Sequence, residues 1–161
     1  MALARSQKQH IESVASELLN KLEEPDSLPI DLEQIAKAVG LKVEYFPFSD
    51  EISGLLKKEL SVIGINETQH PRRQRFTLAH EIGHYVLGHN INHTEDLVDD
   101  NATNSLSDTE REANYFASVI LMPKNLIKKS TKNGIDLSEL SSVFQVSEQA
   151  MTIRLLELKL V

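Results

Sequence analysis

The sequence predicts an α+β fold in which a small antiparallel or mixed sheet packs on helices, followed by a short C-terminal segment with helix-turn-helix rhythm. Three observations carry this expectation. Apolar residues recur at three- and four-residue intervals before residue 23 and again after residue 107. Short strand-like runs are confined to residues 42 to 65, and Gly or Pro separates most neighbouring segments.

Taken in order, Ile11, Val14, Ala15, Leu18, Leu19 and Leu22 share one face of a helix expected over about residues 4 to 22, ending before Pro25. Asp31 with Gln34 reads as a capping box opening a short helix, and Gly40 closes it. Lys42 to Phe46 alternates as a strand. The runs 54 to 58 and 61 to 65 are close enough for a hairpin. Pro71 opens the next helix and Gly88 lies near its end. Residues 89 to 106, rich in Asn, Asp, Thr and Ser without periodicity, read as a long loop of the kind that borders functional sites. A helix from about Asp108 to Leu121 is stopped at Pro123, and shorter ones are expected at 123 to 132, 137 to 144 and 148 to 159. Residues 1–123 are expected as the main domain, with 124–161 a helical segment packed on it.

The 161 residues can bury a real core, and 40% hydrophobic with 25% charged residues is ordinary for a globular chain. No apolar run approaches a membrane span and no signal peptide is evident, so the expected location is the cytoplasm. Without cysteine, any metal site must be built from His and carboxylate. A net charge of −7 argues against general attraction to nucleic acid. The charge is uneven: Glu95, Asp96, Asp99, Asp100, Asp108, Glu110 and Glu112 face one Arg111, while Arg72, Arg73 and Arg75 stand just before the run that begins at His80. Both runs read as solvated surface.

Chemistry concentrates in His80-Glu81-Ile82-Gly83-His84. Histidines four apart project from one helix face, so both rings can reach one metal ion. Zinc held this way brings the pKa of its water to about 7, and Glu81 stands where it can take that proton. The flanking Phe76, Leu78, Ala79, Val86 and Leu87 make the helix apolar around most of its circumference, hence buried. Two imidazoles and a carboxylate inside a buried helix need a partner, because unpaired polar groups there cost several kcal/mol; a metal satisfies all three.

A catalytic zinc needs a third ligand and an open position. The spacing His-x-x-x-His-x-x-Gly-x-x-His would require Gly at 87 and His at 90, where Leu87 and Asn90 stand. His89 and His93 miss that spacing and read as loop histidines. Glu110 fits better. On a helical wheel it lies about 20° from Ala117 in the apolar stripe Ala113, Phe116, Ala117, Ile120 and Leu121, whereas Glu112 lies about 140° away and is expected to face outward. Asn114, one turn on, can accept the second N–H of a metal-bound imidazole. The competing possibility is that Ser107-Asp108-Thr109-Glu110 is a capping box in which the Glu110 side chain bonds back to Ser107.

With these residues in hand, the chain resembles the ImmA/IrrE family of zinc metallopeptidases. The resemblance covers Ile52-Ser53-Gly54, Val62 to Asn66, Arg73 through His84, Glu110-Arg111-Glu112-Ala113-Asn114-Tyr115-Phe116-Ala117, Leu121-Met122-Pro123, and Val146 to Met151. It implies a zincin-like metallopeptidase domain with His80, His84 and Glu110 as zinc ligands and Glu81 as catalytic base. It also implies a role as anti-repressor, cleaving a helix-turn-helix repressor of a mobile element or stress regulon.

The C-terminal stretch Leu137 to Met151 has helix-turn-helix rhythm, but Gln145 stands where a turn glycine is expected and Arg154 is the one strong candidate for DNA contact before Lys159. It reads as structural packing or partner docking, not DNA binding. The expected substrate is a protein lying extended along a strand edge in the 54 to 65 region, with Tyr85, Tyr115 or His93 as candidates to assist carbonyl polarisation. The alternative is a zinc-stabilised regulator that binds a repressor or DNA without cutting it.

Overall fold

The computed structural model of the chain describes residues 2–90 and 107–161. Its elements, in order, are α1 (Arg5–Leu19), α2 (Leu32–Ala38), β1 (Lys42–Phe46), β2 (Gly54–Lys57), a 3-10 turn (Lys58–Leu60), β3 (Val62–Asn66), α3 (Pro71–Val86), α4 (Asp108–Leu121), α5 (Lys124–Thr131), α6 (Leu137–Phe144) and α7 (Glu148–Glu157). The expected α+β class is observed: seven helices among the described residues, packed with one three-stranded sheet.

The sheet order is β1-β3-β2. β3 runs parallel to β1 and antiparallel to β2, so the expected hairpin exists and the sheet is mixed. β3 is paired on both sides and buried from Ile63 to Asn66. Gly64 permits this: the Phe48 ring lies where its side chain would be, with a ring atom 3.3 Å from the Cβ position. Asn66 ties down the same loop, its amide donating to the carbonyls of Ile52 (2.7 Å) and Ser49 (3.0 Å).

α1 ends at Leu19, a turn earlier than its apolar spacing predicts; Leu22 is buried from the following turn instead. At α2, Asp31 accepts from Gln34 N–H as expected, but the other half of the box is absent. The Gln34 side-chain oxygen accepts from Glu23 N–H, linking α2 to the segment after α1.

The helices pack α1 against α4 and α4 against α3, with the sheet and α2 on the other flank of α3. α3 is therefore surrounded, and every residue from Thr77 to His84 is buried. The arginines at its start are not merely solvated. Arg72 donates to the Val146 carbonyl (2.9 Å) and Arg75 to the Ile30 carbonyl (2.9 Å), clamping the C-terminal helices and the chain before α2; Arg73, exposed, donates to Ser53 Oγ (3.2 Å). In the C-terminal helices Leu140, Phe144, Val146, Met151 and Leu155 join the same core as the rest of the chain. Gln145 does occupy the left-handed turn position (φ 55°) and donates its own amide to the Ser142 carbonyl. Arg154 is buried, its Nε donating to the Met122 carbonyl (3.0 Å), so it is spent on packing α7 against the end of α4.

Candidate metal centre

His70 caps α3 by accepting Arg72 N–H on its ring, and Pro71 at the first helical position costs no hydrogen bond. The helix then carries His80, Glu81 and His84 into its buried stretch. Gly83 decides how closely α4 approaches. A Cβ there would stand 2.9 Å from Cδ1 of Phe116, so the absence of a side chain lets the two helices cross in contact.

That crossing delivers Glu110. Its Oε1 lies 2.9 Å from His84 Nε2 and its Oε2 lies 3.2 Å from His80 Nε2, while the two Nε2 atoms are 2.9 Å apart. Ser107 Oγ accepts Glu110 N–H (3.3 Å), so the backbone half of the predicted cap forms. The Glu110 side chain does not turn back to Ser107; it is committed to the histidines. Asn114 Oδ1 lies 2.8 Å from His80 Nδ1, the contact expected of it. Because a carboxamide oxygen only accepts, His80 carries a proton on Nδ1, which leaves Nε2 as the atom it presents to Glu110.

Burial holds His84 below its ordinary pKa, against the opposing pull of the Glu110 carboxylate that accepts from its ring. Burial alone would raise Glu110, but its hydrogen bonds to His80 and His84 outweigh that and keep the carboxyl well below its usual range. Two imidazole nitrogens and two carboxylate oxygens thus converge on one point. A cation in place of the ring protons between them would be held by all three side chains. A tetrahedral ion with bonds near 2.0–2.2 Å needs donor atoms about 3.3 Å apart, close to the spacing found. Among the described residues, His80, His84 and Glu110 form the group that could hold a metal. Glu81, expected from the sequence to be the catalytic base, is adjacent to His80 and only 1% exposed.

One expectation fails and another is incomplete. His89 does lie in the chain after α3 and outside the candidate metal group, but it is 6% exposed, with Nδ1 2.9 Å from His84 Nδ1. Glu112 does not face solvent but meets His89 Nε2 at 2.8 Å. The wheel placed Glu112 correctly, away from the apolar stripe. What it lacked was the chain after α3, where Gly88 (φ 73°) reverses the backbone and His89 N–H returns to the His84 carbonyl at 3.0 Å. A Gly-His pair directly after the helix was the available signal. Tyr115 is removed from the candidates for carbonyl polarisation, since its hydroxyl donates to Glu12 on α1 at 2.5 Å; burial first, then that hydrogen bond, raises its pKa far above the usual phenol value. Tyr85 packs half-buried against the core. His93 and the acidic residues 95, 96, 99 and 100 lie outside the described residues. No described helix is long and apolar enough to cross a membrane.

Among solved structures, a Mycobacterium tuberculosis transcriptional regulator superposes with a TM-score of 0.60 at 18% identity, over 94% of this chain and 47% of that one, a likeness of fold. The radiation response metalloprotease IrrE of Deinococcus radiodurans is 33% identical over 128 residues, covering 76% of this chain and 39% of that protein. Its counterpart from Deinococcus deserti is 37% identical over 89 residues, covering 55% and 31%. The chain thus spans less than two-fifths of the length of these relatives. The IrrE N-terminal-like domain profile (Peptidase_M78) matches residues 36–156, from α2 through α7 and across every residue of the centre. The chain belongs to the IrrE N-terminal-like, Peptidase_M78 family.

Proposed function

We propose that this chain is a zinc-dependent endopeptidase with a zincin-like catalytic domain, and that its substrate is a protein, a helix-turn-helix transcriptional repressor. The observation that carries the catalytic part is the meeting of His80, His84 and Glu110 beside a buried Glu81. Two imidazoles and one carboxylate are a donor set suited to zinc with a position left open. Held by His80, His84 and Glu110, a zinc ion would supply Lewis acidity to an attacking water and to the scissile carbonyl. Glu81 takes the proton of that water and delivers it to the leaving amine. Asn114 keeps His80 in the tautomer that directs Nε2 to the ion.

Since β3 is paired on both sides, an extended substrate would add to the sheet at β2, the edge strand whose Gly54 lies against Thr77 of α3. The metalloprotease name carried by the Deinococcus relatives supports peptide hydrolysis. The repressor substrate, and with it a cytoplasmic site of action, rests on resemblance to ImmA/IrrE proteins. Buried Arg154 supports a protein substrate over a DNA partner.

The test is incubation of the purified chain with the repressor encoded nearest to it, with and without a chelator, and mass spectrometry of the products. Chelator-sensitive fragments are expected. Glu81→Gln should bind zinc like the wild type yet lower the cleavage rate by about 10²–10⁴-fold. If Glu81→Gln cleaved at the wild-type rate, or kept full biological activity without cleaving, a non-catalytic zinc-stabilised regulator would be the better account.

A further inference from the structure

Each candidate ligand histidine has a partner behind it, and the two partners differ in kind. Behind His80 stands a single amide, Asn114. Behind His84 stands a second imidazole, and behind that a carboxylate: His84 Nδ1 to His89 Nδ1 at 2.9 Å, then His89 Nε2 to Glu112 Oε1 at 2.8 Å. We propose that His89 and Glu112 are positioning residues for the metal centre, a two-step relay that fixes which nitrogen of His84 faces the ion.

The chemistry runs inward from the carboxylate. Glu112 can only accept, so the proton of a neutral His89 sits on Nε2. That leaves a lone pair on His89 Nδ1, 2.9 Å from His84 Nδ1. Two nitrogens at that distance share one hydrogen, and with an ion on His84 Nε2 it is the one on His84 Nδ1. With its proton held on Nδ1, His84 has Nε2 committed to the ion. Without the carboxylate, the pair has a second arrangement of similar cost. His89 carries its proton on Nδ1 and donates to His84, which then carries its own proton on Nε2, where it blocks the metal position.

The relay is held from several sides. His89 N–H donates to the His84 carbonyl at 3.0 Å, and its own carbonyl accepts from Lys58 Nζ at the turn after β2. The Gln7 amide of α1 reaches Glu112 Oε2 at 3.4 Å. α1, the β2 turn, the end of α3 and the start of α4 thus all set one ring. Neither His89 nor Glu112 takes part in the proposed metal shell or the proton transfer.

This inference rests on the His80, His84, Glu110 metal site proposed above. Its test compares zinc dissociation constants, by competition with a chromogenic chelator, for wild type, His89→Ala, Glu112→Leu, Glu112→Gln and the double variant His89→Ala/Glu112→Leu. His89→Ala and Glu112→Leu should weaken zinc by about 10–100-fold, the usual cost of losing a partner behind a ligand. Glu112→Gln keeps an accepting oxygen without the charge and should lose less than about tenfold. The double variant should bind no more weakly than His89→Ala alone, because Glu112 acts only through His89. Independent, additive losses, or wild-type affinity in Glu112→Leu, overturn the relay.

Nitrogen-15 spectra of the zinc-loaded wild type at neutral pH supply a readout that needs no variant. They should show the His84 proton on Nδ1 and the His89 proton on Nε2; the reverse pattern overturns the proposal even if every variant misfolds. Wild-type protein that fails to bind zinc overturns the metal site itself. Wild-type binding with unchanged variants overturns only the relay.

Discussion

The α3–α4 crossing and the α6–α7 pair are both helix–helix contacts, yet they conceal opposite things. At α3–α4 the buried stretch includes His80, Glu81 and His84, joined by His89 from the following turn. At α6–α7 the interior is Leu140, Phe144, Val146, Met151 and Leu155, its buried polar Ser141 and Arg154 donate to the backbone carbonyls of Leu137 and Met122, and Ile153 (50% exposed) and Leu156 (59%) lie outside. An apolar side chain on the surface is common and says little by itself. A buried polar one left without a partner costs several kcal/mol, so the partners it has identify what it is for. Chemistry is therefore legible at the first contact and packing at the second.

Three substitutions break or sharpen that contrast. Phe144→Ala should have the largest effect, removing a fully buried ring from the α6–α7 interior and lowering unfolding free energy by about 3–5 kcal/mol. Chemical denaturation measures this, and zinc affinity of the remaining folded protein should be unchanged; a parallel loss of affinity would mean that the two contacts are not separable. Gly83→Ala should cost less, about 1–2 kcal/mol. The added methyl must displace the fully buried Phe116 ring, partly offset by alanine's better helix propensity. It should also weaken zinc binding, since it spreads α4 and Glu110 from α3; intact affinity would show that the helices need not approach so closely. Leu156→Ser should be the smallest, within about 0.5 kcal/mol in stability and without effect on zinc. A large loss there would reveal that this face is covered.

Much of the centre could be read from the chain because its logic is local. His80, Glu81 and His84 follow from helical spacing, and Glu110 and Asn114 from one wheel anchored on the stripe Ala113, Phe116 and Ala117. The strands were legible in position but not in order, since nothing local says that β3 (Val62–Asn66) pairs on both sides. His89 and Glu112 escaped for a related reason. A wheel knows which way a side chain leaves its own helix, not what another segment has placed there. Gly88 ends the helical register, and beyond it His89 is positioned by a backbone reversal that periodicity cannot follow. Arg72, Arg75 and Gln34 were missed likewise, each bonding a backbone group in a distant segment.

Three alternate positions of α4 govern the whole centre. Glu110 meets both rings, Asn114 stands behind one, and Glu112 stands behind the histidine that supports the other. A newly made polypeptide that has emerged only as far as α3 already displays the five-residue signature, but it owns two candidate ligands and nothing to orient them. Competence to capture an ion arrives with α4, so capture reports completed docking of distant segments, and a short signature match taken alone overstates what a fragment can do.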